Sequence, residues 1–146
     1  MLAASVGLPA LGVDLAATAI ELARSKAAAR GIEAEFAVAD AFELDRLGRN
    51  FDTVLDCGLF HTCDEDERSR YVASVASVTR HDGTLYVLCF SDDAPAIGPH
   101  RIRQEELRDS FTPRSGWNVE RVEPAMIRTT FIEQGVPAWF ATVTRL

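Results

Sequence analysis

Two short apolar segments in the first forty residues each lead into an aspartate. Asp14 follows Ala10–Val13, and Asp40 follows Glu33–Val38. In open parallel sheets, ligands bind at the carboxyl ends of the strands. A carboxylate there can accept both hydroxyls of a ribose, and a second one, one strand over, can accept an adenine amino group. The alternative is that Asp14 caps a helix and Asp40 only ends a strand, but the pair in one register favours a ligand site.

His61 is the third residue whose type could do chemistry. It follows the apolar segment Thr53–Cys57, so we expect it at the same ligand-facing edge of the sheet. There it could serve as a general base toward an alcohol or phenol, or as a structural hydrogen-bond donor. The four consecutive acids of Asp64–Glu67 suit the positive end of a helix and not a metal site, so no metal is predicted.

The stretch Phe51–Phe90 must position these side chains. Its two ends, Thr53–Cys57 and Thr84–Phe90, are mostly apolar and rich in branched and aromatic residues, which is typical of strands buried on both faces. Between them Tyr71 and Val75 fall at helical spacing. A strand, a helix and a strand in about forty residues predict a βαβ unit with parallel strands.

The C-terminal part has a different texture. Ser91–His100 contains three prolines or glycines and two aspartates, which predicts a loop that can lie over a pocket. Gln104–Phe111 is predicted to be a short helix with Leu107 and Phe111 inward. The alternating segments Trp117–Glu123 and Trp139–Arg145 predict an antiparallel hairpin at the sheet edge.

Length and composition limit the class of protein. The 146 residues fit one domain, with 47% hydrophobic and 25% charged residues. A net charge of -7 argues against nucleic acid as a partner, and the absence of a long apolar run argues against a membrane span. Cys57, Cys63 and Cys89 are odd in number and lack CxxC spacing. They predict reduced thiols in a cytoplasmic protein.

Val13-Asp14 and Asp40-Ala41-Phe42 carry a family resemblance. The chain resembles the class I S-adenosylmethionine-dependent methyltransferases, in which comparable segments hold the cofactor ribose and the adenine. The resemblance implies an α/β fold: a Rossmann-like sheet, mostly parallel, with an antiparallel C-terminal strand pair. It implies S-adenosyl-L-methionine as the cofactor. The cofactor-binding residues that it implies are Asp14, Leu15, Asp40, Ala41, Phe42, Asp56 and Cys57.

The segment from Phe51 to Phe60, Phe-Asp-x-Val-x-Asp-x-Gly-Leu-Phe, is similar to one branch of that family. Together with Gly98-Pro99, the predicted helix after it and Trp117, it resembles the thiopurine, thiol and halide methyltransferases. The resemblance implies a small-molecule methyl acceptor, such as a thiol or halide, that needs little help from a base. It implies His61 as the catalytic residue. The substrate-binding residues that it implies are Phe60, His61, Pro99, His100 and Arg101.

One departure from the family is clear. No G-x-G-x-x-G occurs in the sequence, and Met1–Gly7 is similar to the end of the helix that normally follows the glycine-rich loop. We therefore expect residues 1–146 to form a single, N-terminally incomplete domain without the family's first strand. The missing strand would leave unpaired sheet edges through which a homodimer could form. Weak cofactor binding is also expected.

Three functions are compatible with the sequence. The favoured one is a small-molecule methyltransferase. The second is a non-catalytic module or relic of the same fold, acting through self-association or a partner. The third is a nicotinamide-dependent enzyme, since an acid after the second strand also suits that cofactor. Asp40, the C-terminal strand pair and the lack of a glycine fingerprint argue against the third.

Overall fold

A computed structural model of the protein describes residues 1–95, 100–129 and 132–146. The chain divides into two compact units, Met1–Leu47 and Gly48–Leu146. Within the described residues, no helix has both the length and the apolar character that a membrane span requires.

The first unit contains a two-stranded parallel sheet. Strands β1 and β2 pair directly, with Asp14 of β1 opposite Val38 of β2. The predicted strand before each aspartate is therefore present, and both strands point the same way. The elements of this unit are α1 (Leu2–Ser5), β1 (Leu11–Asp14), α2 (Ala17–Ala29), β2 (Glu35–Val38) and a 3-10 helix (Leu44–Leu47).

Helix α2 connects these two strands. Ile20 and Ala27 are its buried residues, as their helical spacing predicts, and Lys26 lies in the last turn, where a cation suits the helix dipole. The helix ends before Gly31, which has a φ of +61°. Its N-cap is Ala16, which makes no side-chain cap hydrogen bond.

The second unit is built on a four-stranded sheet in the order β3-β4-β6-β5. β3 and β4 are parallel, whereas β6 is antiparallel to both β4 and β5. The elements of this unit are β3 (Phe51–Cys57), a 3-10 helix (Phe60–Thr62), α3 (Glu65–Val78), β4 (Thr79–Phe90), α4 (Gln104–Ser110), a 3-10 helix (Pro113–Ser115), β5 (Trp117–Ile127) and β6 (Val136–Arg145).

Helix α3 begins with the predicted acidic turn. The Asp64 carboxylate accepts from the Glu67 N–H at 2.8 Å, and the Glu67 carboxylate accepts from the Asp64 N–H at 3.0 Å, which makes a complete capping box. Tyr71 and Val75 face the core, as their spacing predicts. The β3-α3-β4 unit therefore forms as predicted.

The start of β4 differs from its prediction. β4 begins at Thr79, five residues before the predicted Thr84, and it contains an irregularity at which Asp82 adopts a φ of +62°. The register with β3 jumps from Thr79 to Thr84 across this point, and aspartate tolerates a positive φ better than most residues. The sheet of the second unit is mixed: β3, β4 and β5 run in one direction, and β6 runs between β4 and β5 in the opposite direction.

The C-terminal hairpin is confirmed, with β5 as the edge strand and β6 in the interior. Tertiary packing explains the position of β6. Leu85 and Val87 of β4 and Ala141 and Val143 of β6 have no exposed surface, so they form the centre of the core. Trp117 is also fully buried, and its ring meets the Phe111 ring edge-on at 5.9 Å.

Candidate functional site

The strand ends of the first unit hold two carboxylates in fixed positions. Oδ1 of Asp14 accepts from the Ala16 N–H at 2.8 Å, and Oδ1 of Asp40 accepts from the Phe42 N–H at 2.9 Å. Ala39 N–H donates to the Asp14 carbonyl oxygen, which ties the two strand ends together. Oδ2 of both carboxylates has no hydrogen-bond partner in the part of the chain that the structure describes. In each turn a backbone N–H therefore fixes one carboxylate oxygen, and the other oxygen is available to accept a hydrogen bond from a ligand.

The neighbouring residues of these aspartates differ in exposure. Leu15 has 70% of its surface exposed, so an apolar side chain stands in solvent beside Asp14. Ala41 and Phe42 are half-buried. These three residues lie beside the two carboxylates along the chain, and their predicted cofactor contacts stay a prediction.

In the second unit, Asp56 organises the turn after β3. Its Oδ1 accepts from the Leu59 N–H at 2.8 Å, and its Oδ2 accepts from the Phe60 N–H at 3.0 Å and from the Tyr71 hydroxyl at 2.8 Å. The residue is only 6% exposed. Both oxygens therefore accept hydrogen bonds inside the protein, and the predicted cofactor contact of Asp56 stays a prediction. Asp56 shapes the loop that presents residues 57–62.

Burial sets the protonation behaviour of this network. Desolvation raises the pKa of Asp56 above its usual value, although hydrogen bonds from Leu59, Tyr71, Phe60 and Gly58 pull it down. Desolvation and the nearby Asp56 carboxylate raise the pKa of Tyr71 well above its usual value. The Tyr71 hydroxyl therefore stays protonated and acts as a donor.

Phe60 belongs to the core. It has no exposed surface, its ring lies 5.5 Å from the Phe111 ring, and the Arg68 guanidinium lies 5.6 Å from its centroid. Phe60 therefore presents no surface in this structure, and its predicted substrate contact stays a prediction. A fully apolar side chain three residues after a strand is compatible with either location.

His61 lies on the 3-10 helix after β3, with 5% of its surface exposed. Its Nδ1 accepts from the Phe90 N–H at 3.0 Å, and its ring stacks on the Phe90 ring with centroids 4.2 Å apart and planes 8° apart. Burial lowers the pKa of His61. The structure thus places His61 at the carboxyl ends of β3 and β4, as predicted.

Gly58, in the turn after β3, lies beside the His61 ring. Its φ is +95°, and a Cβ built there would lie 3.5 Å from His61 Cε1. We expect Gly58→Ala to lower the free energy of unfolding by ~2 kcal/mol, because a side chain strains this backbone region, whereas the added Cβ makes only ordinary van der Waals contact with the ring. Urea unfolding measures the loss.

Gly48→Ala is the matched control, since Gly48 has a φ of +59° and nothing within 4 Å of the added Cβ. We expect it to cost ~1 kcal/mol from the backbone alone. Equal losses in the two variants would show that the larger φ of Gly58 adds no strain.

The remaining predicted substrate residues lie around the segment after β4. His100 Nε2 lies 2.9 Å from Glu106 Oε1, and Arg101 Nη1 donates to the Ala94 carbonyl oxygen at 3.2 Å. Both residues are exposed. Pro99, together with the predicted Gly98-Pro99 motif, lies outside the described residues.

Glu106 was missed by sequence reasoning and connects three elements of this region. Its Oε1 accepts from Arg68 Nη1 at 2.8 Å, and its Oε2 accepts from the Arg103 N–H at 2.9 Å. Burial alone would raise the pKa of Glu106, but hydrogen bonds from Arg103, His100 and Arg68 lower it to about 2. The pairing joins residues 38 positions apart, so no local sequence pattern indicates it.

The cysteines divide by burial. Cys57 is exposed at the end of β3, whereas Cys63 and Cys89 are buried. Desolvation raises the pKa of Cys63 to about 11 and of Cys89 to about 12, so both thiols are unreactive at neutral pH. Among the described residues, no group of histidine, cysteine and carboxylate side chains is arranged to hold a metal ion.

Two clefts lie mostly away from the predicted site residues. A cleft of about 540 Å³ in the first unit is bordered by α2 and by the entrance to β2. A larger one of about 970 Å³ lies between α3 and the α4 region of the second unit, and His100 is the predicted site residue on its wall. Neither cleft is lined by Asp14, Asp40 or His61.

The family of the chain follows from its comparison with known proteins. The methyltransferase domain family matches residues 1–83, which is more than half of the chain. The chain belongs to this family. The predicted class I S-adenosylmethionine-dependent methyltransferase family is thereby confirmed, and S-adenosylmethionine is the cofactor of that family. These matches do not distinguish the thiopurine, thiol and halide branch from the rest of the family.

Individual relatives of this methyltransferase domain agree. It is 34% identical over 125 residues to a 2-heptyl-1-hydroxyquinolin-4(1H)-one methyltransferase of Mycobacteroides abscessus, covering 83% of this chain and 54% of that protein. A protein of Schizosaccharomyces pombe described as an uncharacterized methyltransferase is 29% identical over 89 residues, which is 61% of each chain. The chain thus spans 54% to 61% of the length of these curated relatives.

Solved structures confirm the Rossmann-like methyltransferase fold. A chain solved in work on the conversion of a disulfide bond into a thioacetal group during echinomycin biosynthesis is 32% identical, with a TM-score of 0.85. The match covers 97% of this chain and 68% of that one. Magnesium protoporphyrin IX methyltransferase from Synechocystis PCC 6803, solved with S-adenosylmethionine bound, is 21% identical, with a TM-score of 0.71 over 98% and 62% of the two chains. This second likeness shows the fold alone.

Proposed function

We propose that this chain binds S-adenosyl-L-methionine and transfers its methyl group to a small-molecule nucleophile. The observation that carries the proposal is the pair of strand-end carboxylates, Asp14 and Asp40, each with one oxygen fixed by its own backbone and the other available. Carboxylates at adjacent parallel strand ends fit the ribose hydroxyls and the adenine amino group of the cofactor.

The first unit would hold the nucleoside part of the cofactor. Asp14 would accept from the ribose hydroxyls and Asp40 from the adenine amino group. Leu15, Ala41 and Phe42 would supply apolar contacts beside them. When bound, the cofactor supplies an electrophilic methyl group on a sulfonium. What the chain's own residues contribute is position and exclusion of water, which is sufficient for a reactive nucleophile.

The second unit would contact the acceptor through His61, with Cys57 exposed at the adjacent strand end. His100 and Arg101 are further proposed acceptor contacts, and Pro99 remains one from sequence alone. The acceptor class is proposed as a thiol, a halide or a comparable small nucleophile. A compound with an acidic hydroxyl is a further proposed acceptor, because the relative from Mycobacteroides abscessus is named for a hydroxyquinolone.

The test is incubation of the chain with S-adenosyl-L-methionine and a panel of thiophenol, iodide and a hydroxyquinolone, with methylated products identified by mass spectrometry. We expect one class to be methylated, and Asp14→Asn to abolish turnover. Asp45→Asn, an exposed aspartate of the same unit, is the matched control. If every acceptor is left unmethylated while the cofactor is bound, the catalytic proposal fails for this chain.

A non-catalytic, self-associating module is the second candidate. The exposed edge of the second unit favours it, because β3 has one neighbour in the sheet and Leu55 of that strand is 70% exposed. We propose a homodimer in which such edges pair. We also propose that residues 1–146 act as a single domain and that the protein is cytoplasmic. Sedimentation analysis tests this candidate, and a concentration-independent monomer would overturn it.

A further inference from the structure

The protonation pattern of His61 follows from its hydrogen bond. An N–H group can donate only to a lone pair, so Nδ1, which accepts from the Phe90 N–H, carries no proton. In the neutral ring the proton must then be on Nε2. A protonated ring would place a second N–H against the Phe90 N–H, so the contact selects the neutral tautomer.

The Nε2–H group is available to a ligand. No described residue accepts from it, and the described side-chain atoms that are both buried and without a partner are Arg68 Nε and Trp117 Nε1. His61 Nε2 is not among those fully buried atoms, and the residue as a whole is 5% exposed. Stacking on Phe90 fixes the direction in which this donor points.

The buried groups around His61 provide no base. Both oxygens of Asp56 are occupied, and the Tyr71 hydroxyl donates to it. Cys63 and Cys89 are buried thiols. Each of these four residues is at most 6% exposed, so none is placed to take a proton from a bound acceptor, and a donor at Nε2 favours a negatively charged atom opposite it.

We propose that His61 is a hydrogen-bond donor that holds an acceptor atom already ionised before it binds, and that the acceptors are thiols or hydroxyl compounds acidic enough to be anions at neutral pH. This inference rests on the proposed function and replaces the predicted general-base role of His61. The acceptor loses its proton to water beforehand. In the transfer its lone pair forms the bond to the methyl carbon, and the electrons of the broken carbon–sulfur bond remain on sulfur, so no proton is released.

The first test is the tautomer of His61, measured by 15N NMR of its imidazole in the chain alone at pH 7. We expect a pyridine-like Nδ1 and a pyrrole-like Nε2. His61→Gln assigns the signals, because His81 and His100 remain. A proton on Nδ1 with a free Nε2 lone pair would overturn the proposal, since that tautomer could act as a base.

The second test is the ionisation state of a bound chromophoric probe in the presence of S-adenosylhomocysteine. 4-Nitrothiophenol and 4-nitrophenol change their absorption spectra on ionisation and represent sulfur and oxygen acceptors. We expect the anion of at least one probe to bind roughly tenfold more tightly than its neutral form. His61→Phe keeps the stacking but should lose this preference, and His61→Gln should restore part of it.

Structural and functional failures remain distinguishable. Urea unfolding of each variant shows whether it folds. If His61→Phe does not fold, the NMR tautomer and the probe spectra of the wild type still test the inference. The inference would be overturned if the wild type bound the neutral form of the probe preferentially or bound no probe. It would also be overturned if His61→Phe kept the preference for the anion. The proposed function is judged separately, by the methylation assay.

Discussion

Replacing Asp56 with alanine is expected to lower the free energy of unfolding by about 3 kcal/mol. The change removes the acceptor for three donors, the N–H groups of Leu59 and Phe60 and the hydroxyl of Tyr71. Each buried donor left without a partner costs about 1–3 kcal/mol, and relief of the buried charge offsets part of that sum. Urea unfolding at pH 7 measures the effect.

Two further variants separate the contribution of the Asp56 hydrogen bonds from the effect of removing any carboxylate from β3. Tyr71→Phe removes one of the three donors and should cost about 1 kcal/mol. Asp52→Ala removes a carboxylate of the same strand, whose partner Arg80 is 2.6 Å away and largely exposed, so it should cost less than about 0.5 kcal/mol. If Asp56→Ala is as mild as Asp52→Ala, Asp56 does not hold the turn.

Replacing Glu106 with glutamine is expected to cost about 3 kcal/mol at pH 7. Arg68 is 13% exposed and would keep its buried charge without a counter-ion. Glu105→Gln on the same helix is the matched control, because Glu105 is exposed, and it should change stability by less than about 0.5 kcal/mol. Urea unfolding of both variants, side by side, gives the comparison.

The same pair predicts a pH dependence. The pKa of Glu106 is about 2 in the folded protein against 4.5 for an unperturbed carboxyl, so the folded state favours the ionised form. The resulting stability is present above pH 4.5 and is lost as the pH falls toward 2. The difference between wild type and Glu106→Gln should therefore shrink over that interval. A difference that stays constant down to pH 2 would contradict the pairing.

The strand ends and the core helix could be predicted from sequence because their signals are local. Asp14 and Asp40 follow short apolar segments, and the capping box of α3 lies within four consecutive residues. Parallel pairing then places the two aspartates at one edge without further information. The two tryptophan-led segments alternate as edge and hairpin strands do, and they form that hairpin.

The structural roles of Asp56, Phe60 and Glu106 could not be predicted, because each role depends on contacts with residues distant in sequence. Asp56 is satisfied by Tyr71, 15 residues away, and Glu106 by Arg68, 38 residues away. The tautomer of His61 depends on the backbone of Phe90, 29 residues away. Sequence indicated that these residues lie near a strand end, but only tertiary packing decides whether a side chain faces solvent or the core.

The most direct test of the central claim is calorimetric titration of the chain with S-adenosylhomocysteine, repeated with Asp14→Asn, Asp40→Asn and the control Asp45→Asn. The carboxylates of Asp14 and Asp40 are proposed to hold the nucleoside, so each of those variants should weaken binding at least about tenfold, while Asp45→Asn should not. Wild-type binding that neither substitution weakens, or no binding by the wild type, would contradict the account.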